Sequence, residues 1–165
     1  MMINKELKLI LLVLEAHDLH NQNHVQRTAI LADKLAQKLL LSDQQREKLK
    51  TGALLHDIGK LMLPHAILNK PGKLDQDEKE IVELVKYHHE WWNGSGYPEG
   101  LAGDDIPILA QVVAITSSFD IMTTERIYDS LLTPAEALAE LKDYSGLQFS
   151  SELVKIFSEL IKKIN

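Results

Sequence analysis

The chain has 165 residues, 24 acidic groups against 18 basic ones for a net charge of −6, 45% hydrophobic residues and no cysteine. That composition fits one globular domain large enough to bury its own core. It excludes disulfides, Fe–S clusters, zinc ribbons and a thiol nucleophile, so any metal must rest on His, Asp or Glu. The acidic balance argues against duplex nucleic acid as a partner, but not against a small anionic substrate, because a bound cation can set the local charge.

The first apolar run, residues 7–14, carries a stripe of Leu7, Ile10, Leu11 and Leu14. It is broken by Lys8 and is too short to span a bilayer, so it is expected to be a helix and not a membrane insertion or a signal peptide. A second stripe of Val25, Ile30, Leu31, Leu35 and Leu39 predicts the next helix. Ser42 is a natural N-cap, and Asp43 and Glu47 favour the start of a helix reaching about Ile58, where Gly59 ends it. Pro64 and Pro71-Gly72 mark a loop.

Residues 75–90 read as another helix, followed by a long turn region over 93–107 that holds Gly94, Gly96, Gly100, Gly103, Pro98 and Pro107. Residues 108–122 resume as a buried helix. The apolar run at 109–115 is not assigned as a strand, because no partner strand is visible. Thr133-Pro134 caps the next helix, and residues 150–164 close the chain as an amphipathic one. Trp91 and Trp92 are expected to divide, one to the core and one to the surface. With no cysteine and no membrane-length apolar run, the chain suits the cytoplasm.

Seven histidines are present. His20 and His24 stand one turn apart and share a helix face. His56-Asp57 ends one predicted helix and His88-His89 another; His17 and His65 read as ordinary surface or core residues. Imidazoles and a carboxylate converging from separate helices make a site for Fe, Mn, Ni or Zn. The apolar run Ala53-Leu54-Leu55 directly before His56-Asp57 places ionisable groups beside a buried turn, where they need partners. Lys60 stands one turn beyond His56, where its ammonium can meet a phosphate oxygen or stay solvated.

Leu54-Leu55-His56-Asp57-Ile58-Gly59-Lys60 resembles the signature of the HD superfamily of metal-dependent phosphohydrolases. Pro71-Gly72-Lys73-Leu74, His88-His89-Glu90 and the stretch from Asn93-Gly94-Ser95 through Gly96-Tyr97-Pro98 to Leu101 resemble its HD-GYP branch, and the likeness runs over roughly residues 15 to 160. The resemblance implies an all-α, compact HD-domain-like bundle of about six to eight helices, with residues 1–165 as one domain. It implies a phosphodiesterase acting on cyclic di-GMP or a related phosphate ester. One or two divalent transition metal ions are expected, held by His24, His56, Asp57, His88 and His89. Asp57 is expected to bridge ions, Lys60 to lie beside the scissile phosphate, and Arg126 and Tyr97 to meet the substrate.

The sequence also departs from that family. Only thirteen residues separate Leu74 from His88, where the family has a longer stretch with a further metal histidine. Ser117 stands where the family places a metal aspartate, three residues before Asp120, and Asp129 stands where a basic residue often follows Arg126. His20 occupies a position that is a glutamate ligand in some members. These departures keep a second reading open, a degenerate HD-GYP-like domain acting as a nucleotide-binding or protein-interaction signalling module. A metal-free helical interaction domain is a third. Family members often follow a receiver or sensory domain; none is present here, so regulation is expected from a signalling partner or from a longer parent chain.

Overall fold

The computed structural model describes residues 19–57, 76–124 and 131–164, with side chains from residue 23. Among them are α1 (Leu19–Lys38), α2 (Asp43–Leu55), α3 (Gln76–Tyr87), α4 (Ile108–Thr123), α5 (Pro134–Asp143) and α6 (Ser151–Ile164), with a short 3-10 turn at Gly103–Asp105 and no strand. The architecture is all-α, as expected. The apolar run at 7–14 and the loop around Pro64 and Pro71 lie outside the described residues.

The helix starts follow from their caps. The Ser42 hydroxyl accepts from the Gln45 N–H while the Gln45 side chain accepts from the Ser42 N–H, closing a capping box on α2. Thr133 and Glu136 do the same for α5, with Pro134 in its first turn. Helix α4 is mostly apolar and runs through the middle of the bundle. It packs against α1, α2, α3, α5 and α6. Its Val112, Val113 and Ile115 are fully buried, and Phe119 meets Phe157 of α6 edge-on at 5.2 Å.

Three expectations need correction. Ile30 is 57% exposed and outside the core. The buried face of α1 is Val25, Thr28, Ala29, Ala32, Leu35 and Ala36, a spacing of three and four that excludes position 30. Val25 and Leu35 belong to the expected stripe, whereas Thr28, Ala29, Ala32 and Ala36 do not stand out in the sequence because alanine and threonine look neutral on a hydrophobic stripe. Helix α3 stops at Tyr87 and not at Glu90. His88 folds its Nδ1–H back onto the Val85 carbonyl at 2.7 Å, and the Glu90 N–H bonds the Tyr87 carbonyl in a turn. Trp91 and Trp92 do not divide between core and surface; both are half-buried.

Helix α3 lies close on α2. A Cβ at Gly52 would fall 2.5 Å from a Leu84 methyl. Beside that contact the buried Lys48 ammonium meets Asp77 at 2.8 Å and Glu80 at 2.9 Å. This contact fixes the end of α3, and so His88, against the end of α2, where His56 and Asp57 stand.

Candidate metal centre

His24 projects from α1, His56 and Asp57 from the C-terminal end of α2, and Ser117 and Asp120 from α4. All five are buried. His24 Nε2 lies 3.3 Å from His56 Nε2. Asp57 Oδ2 is 3.6 Å from His56 Nε2 and 3.9 Å from His24 Nε2. One ligand atom from each of His24, His56 and Asp57 therefore falls within 4.8 Å of the others. Two imidazole nitrogens and a carboxylate oxygen converging out of water form a donor set suited to a divalent transition metal. Among the described residues this is the one group of three or more such ligands that meets.

The outer nitrogens of both rings are tied. His56 Nδ1–H donates to the Ala53 carbonyl at 2.7 Å, which leaves Nε2 with its lone pair facing the centre. His24 Nδ1 meets Asp120 Oδ2 at 2.7 Å. Asp120 is held in turn by Arg27, whose Nε and one terminal nitrogen reach its two oxygens at 2.7 and 3.0 Å. Burial pushes the Asp120 carboxyl up, but the hydrogen bonds from His24 and Arg27 outweigh it and hold the group below the usual carboxylate range.

The sequence reading missed Arg27 and Asp120 as site residues. A signal was there. Asp120 is the sole charged residue in the sixteen of α4, and a buried charge requires a partner. Arg27 stands one turn after His24, on its face of α1.

The remaining predicted residues extend the centre in a row. The His56 and His88 rings lie 5.2 Å apart, edge to face, His88 and His89 are 4.0 Å apart, and Tyr97 stacks on His89 at 4.9 Å. His88 is buried, with no hydrogen-bond partner at Nε2, whereas His89 and Tyr97 are exposed. Burial, with the nearby His89 and His56, pushes the His88 pKa down to about 3, against an upward pull from its bond to Val85 and from Asp57. It is a neutral imidazole with a bare nitrogen, the form a metal binds. Lys60 and Arg126 lie outside the described residues, as do His17 and His65.

The turn region carrying Tyr97 is fastened from below. The buried Glu90 carboxylate accepts from the Glu99 N–H at 2.7 Å and the Gly100 N–H at 3.1 Å. Gly96 crosses the backbone of residues 89–91 so closely that a Cβ would fall 2.2 Å from the Trp91 nitrogen. No helix of the described residues is long and apolar enough to cross a membrane.

A family profile described as HD domain matches residues 9–82 and 72–153. The two matched segments overlap at 72–82. The chain is 34% identical to a 3′3′-cGAMP-specific phosphodiesterase of Vibrio cholerae, over 88% of this chain and 32% of that protein. It is 33% identical to a cyclic di-GMP phosphodiesterase of Thermotoga maritima, over 96% of this chain and 49% of that protein. The chain thus spans half or less of these relatives. Among solved structures, a cyclic GMP-AMP phosphodiesterase of V. cholerae shares the fold with a TM-score of 0.67 at 19% identity, covering 84% of this chain and 44% of that one. An HD-GYP-type protein of Bdellovibrio bacteriovorus superposes with a TM-score of 0.65 at 25% identity, covering 84% and 51%. With the His56-Asp57 pair buried at the end of α2 and the Gly96-Tyr97-Pro98 turn packed on His89, the chain belongs to the HD domain family, in its HD-GYP branch.

Proposed function

We propose that residues 1–165 form one metal-dependent phosphodiesterase domain acting on a cyclic dinucleotide. The observation that carries this reading is the convergence of His24 Nε2, His56 Nε2 and Asp57 Oδ2 within 4.8 Å. The named relatives, which act on cyclic di-GMP and 3′3′-cGAMP, supply the substrate class.

His24, His56 and Asp57 would hold one ion, with His88 and His89 beside them for a second. The donor set suits Fe, Mn, Ni or Zn. Such an ion supplies Lewis acidity toward water and a phosphoryl oxygen. The chain's own residues do the rest. Asp57 brings anionic charge to the centre. Lys60 and Arg126 are assigned to the phosphate from the family resemblance, as cations that would offset charge growing on phosphoryl oxygens. Tyr97, exposed and stacked on His89, offers a flat face against a base or sugar. A separate signalling protein is proposed as the source of regulation.

The test is hydrolysis of cyclic di-GMP and of 3′3′-cGAMP by the Mn2+- or Fe2+-loaded protein, with products separated by chromatography. Turnover is expected in the wild type and not in the His56→Ala, Asp57→Ala double variant. One observation favours a second reading. The neutral hydroxyl of Ser117 faces both His24 and His56, where the family resemblance places an aspartate. A metal-loaded protein that binds a cyclic dinucleotide and leaves it intact would overturn the enzyme and establish the signalling module.

A further inference from the structure

We infer that Asp120 is a positioning residue for the metal centre: clamped by Arg27, its carboxylate fixes the tautomer of His24 and so aims the His24 Nε2 lone pair at the ion. The inference rests on the metal-centre reading above and deepens it.

An ionised carboxylate only accepts hydrogen bonds. At 2.7 Å from Asp120 Oδ2, His24 Nδ1 must therefore carry the proton, and a neutral ring then has its lone pair on Nε2. That nitrogen is the one 3.3 Å from His56 Nε2 and 3.9 Å from Asp57 Oδ2. His56 reaches the same state by another device, donating Nδ1–H to the Ala53 carbonyl inside its own helix turn. No such carbonyl bond is formed by His24, whose Nδ1 partner comes from α4, ninety-six residues away. Ligand geometry on α1 thus depends on a carboxylate from α4.

Arg27 keeps that carboxylate in service. Its two bonds, at 2.7 and 3.0 Å, reach both oxygens of Asp120. They fix the plane of the carboxylate and keep it ionised within the bundle. Removing the charge alone has a definite consequence. Oδ2 serves both His24 Nδ1 and a terminal nitrogen of Arg27, and Oδ1 serves Arg27 Nε. In Asp120→Asn an NH2 at either place therefore meets an Arg27 group that can only donate. The clamp is broken, and His24 Nδ1–H loses its fixed acceptor.

The experiment reads the tautomer and the metal separately. In metal-free protein under alkaline conditions, long-range proton–nitrogen NMR should show His24 protonated at Nδ1 in the wild type, and in Asp120→Asn that single tautomer should give way to a mixture with the Nε2–H form. Mn2+ titration followed by electron paramagnetic resonance should show binding weakened about 10- to 100-fold, the range for loss of an outer hydrogen-bond partner. If Asp120→Asn loses its helical circular dichroism, Arg27→Met serves instead. Its side chain is 40% exposed, so its loss spares the core, and about tenfold weakening is expected. A wild-type His24 protonated at Nε2, or Mn2+ affinity unchanged within about twofold in the folded variant, overturns the inference. A wild type that takes up no Mn2+ brings down the metal-centre reading and this inference with it. Wild-type binding matched by the variants brings down this inference alone.

Discussion

The Ser117 hydroxyl stands 3.3 Å from His24 Nε2, and the same oxygen is 3.4 Å from His56 Nε2. It faces the nitrogens that would hold an ion, and it brings no charge to them. Asp57 is the one carboxylate of the converging group. Ser117→Asp would add a second. Two effects of opposite sign follow. In metal-free protein a new buried carboxylate beside Asp57 is destabilising, so the melting temperature should fall. With metal the same group is a ligand, and Mn2+ should bind at least about tenfold more tightly, or ~1.4 kcal/mol. Calorimetric titration and melting curves with and without Mn2+ check both. An unchanged affinity would show that Ser117 does not face the ion.

Removing the centre should not remove the fold. His56 and Asp57 lie at the end of α2, whereas the fully buried side chains Leu35, Leu49, Leu84, Ile115, Leu141, Phe157 and Ile161 lie on six helices away from it. The His56→Ala, Asp57→Ala double variant is expected to retain its far-ultraviolet circular dichroism at room temperature. It should also lose metal, to below about a tenth of an equivalent by elemental analysis after Mn2+ or Fe2+ supplementation. Loss of helical signal would show that the polar centre, and not the apolar core, carries the bundle.

Where a structural feature is local, the sequence announced it. Thr133-Pro134 and Ser42 are legible as helix starts because a cap depends on residues three apart, and both capping boxes are present. His24, His56 and Asp57 were legible through the resemblance to the HD-GYP family, and they meet. What was not legible depends on which face a helix turns inward, or on a partner far along the chain. Ile30 belongs to the first kind and the Arg27–Asp120 pair to the second, since the residues of that pair are 93 positions apart. The turn at His88 was hidden because residues 75–90 hold no Gly or Pro to mark a stop, and the break comes from His88 capping Val85. The caps make a local prediction. Thr133→Ala removes the hydroxyl that accepts from the Glu136 N–H at 3.3 Å. It should cost about 1 kcal/mol, a fall of ~2–4 °C in melting temperature for a chain of this size.

His88 predicts a pH dependence of stability in the metal-free protein. Its folded pKa, about 3, lies below the ordinary 6.5. Between those values the unfolded chain holds a proton on this residue and the folded chain does not. Protons therefore favour unfolding: stability is full above the unfolded pKa and falls as the pH drops below it. One group contributes at most about 1.4 kcal/mol per pH unit. From about pH 6.5 to 5, above the carboxylate range, chemical denaturation with EDTA present should show this loss. His88→Gln should flatten it. An equal slope in that variant would assign the loss to another group.

The Glu90 carboxylate and Gly96 together decide whether Tyr97 stays on His89. Glu90 is 3% exposed and accepts from two backbone N–H groups of the turn, Glu99 and Gly100. Oε1 accepts from both N–H groups and Oε2 from that of Gly100, so Glu90→Gln keeps the size but gives up the charge and sets an NH2 against the Gly100 N–H, at a cost of about 1–3 kcal/mol. Amide exchange at Glu99 and Gly100 should accelerate ahead of the helices. Gly96→Ala should be harsher, because the Cβ would meet backbone, the Trp91 nitrogen at 2.2 Å and the Glu90 Cα at 2.6 Å, and backbone cannot rotate away. The exposed Lys86–Glu99 pair on the same turn is the control. Exposed ion pairs contribute little, so Glu99→Gln should leave the melting temperature where it was. If Glu99→Gln and Glu90→Gln loosen the turn equally, the buried carboxylate is not its anchor, and the Tyr97–His89 stack must be held from the solvent side.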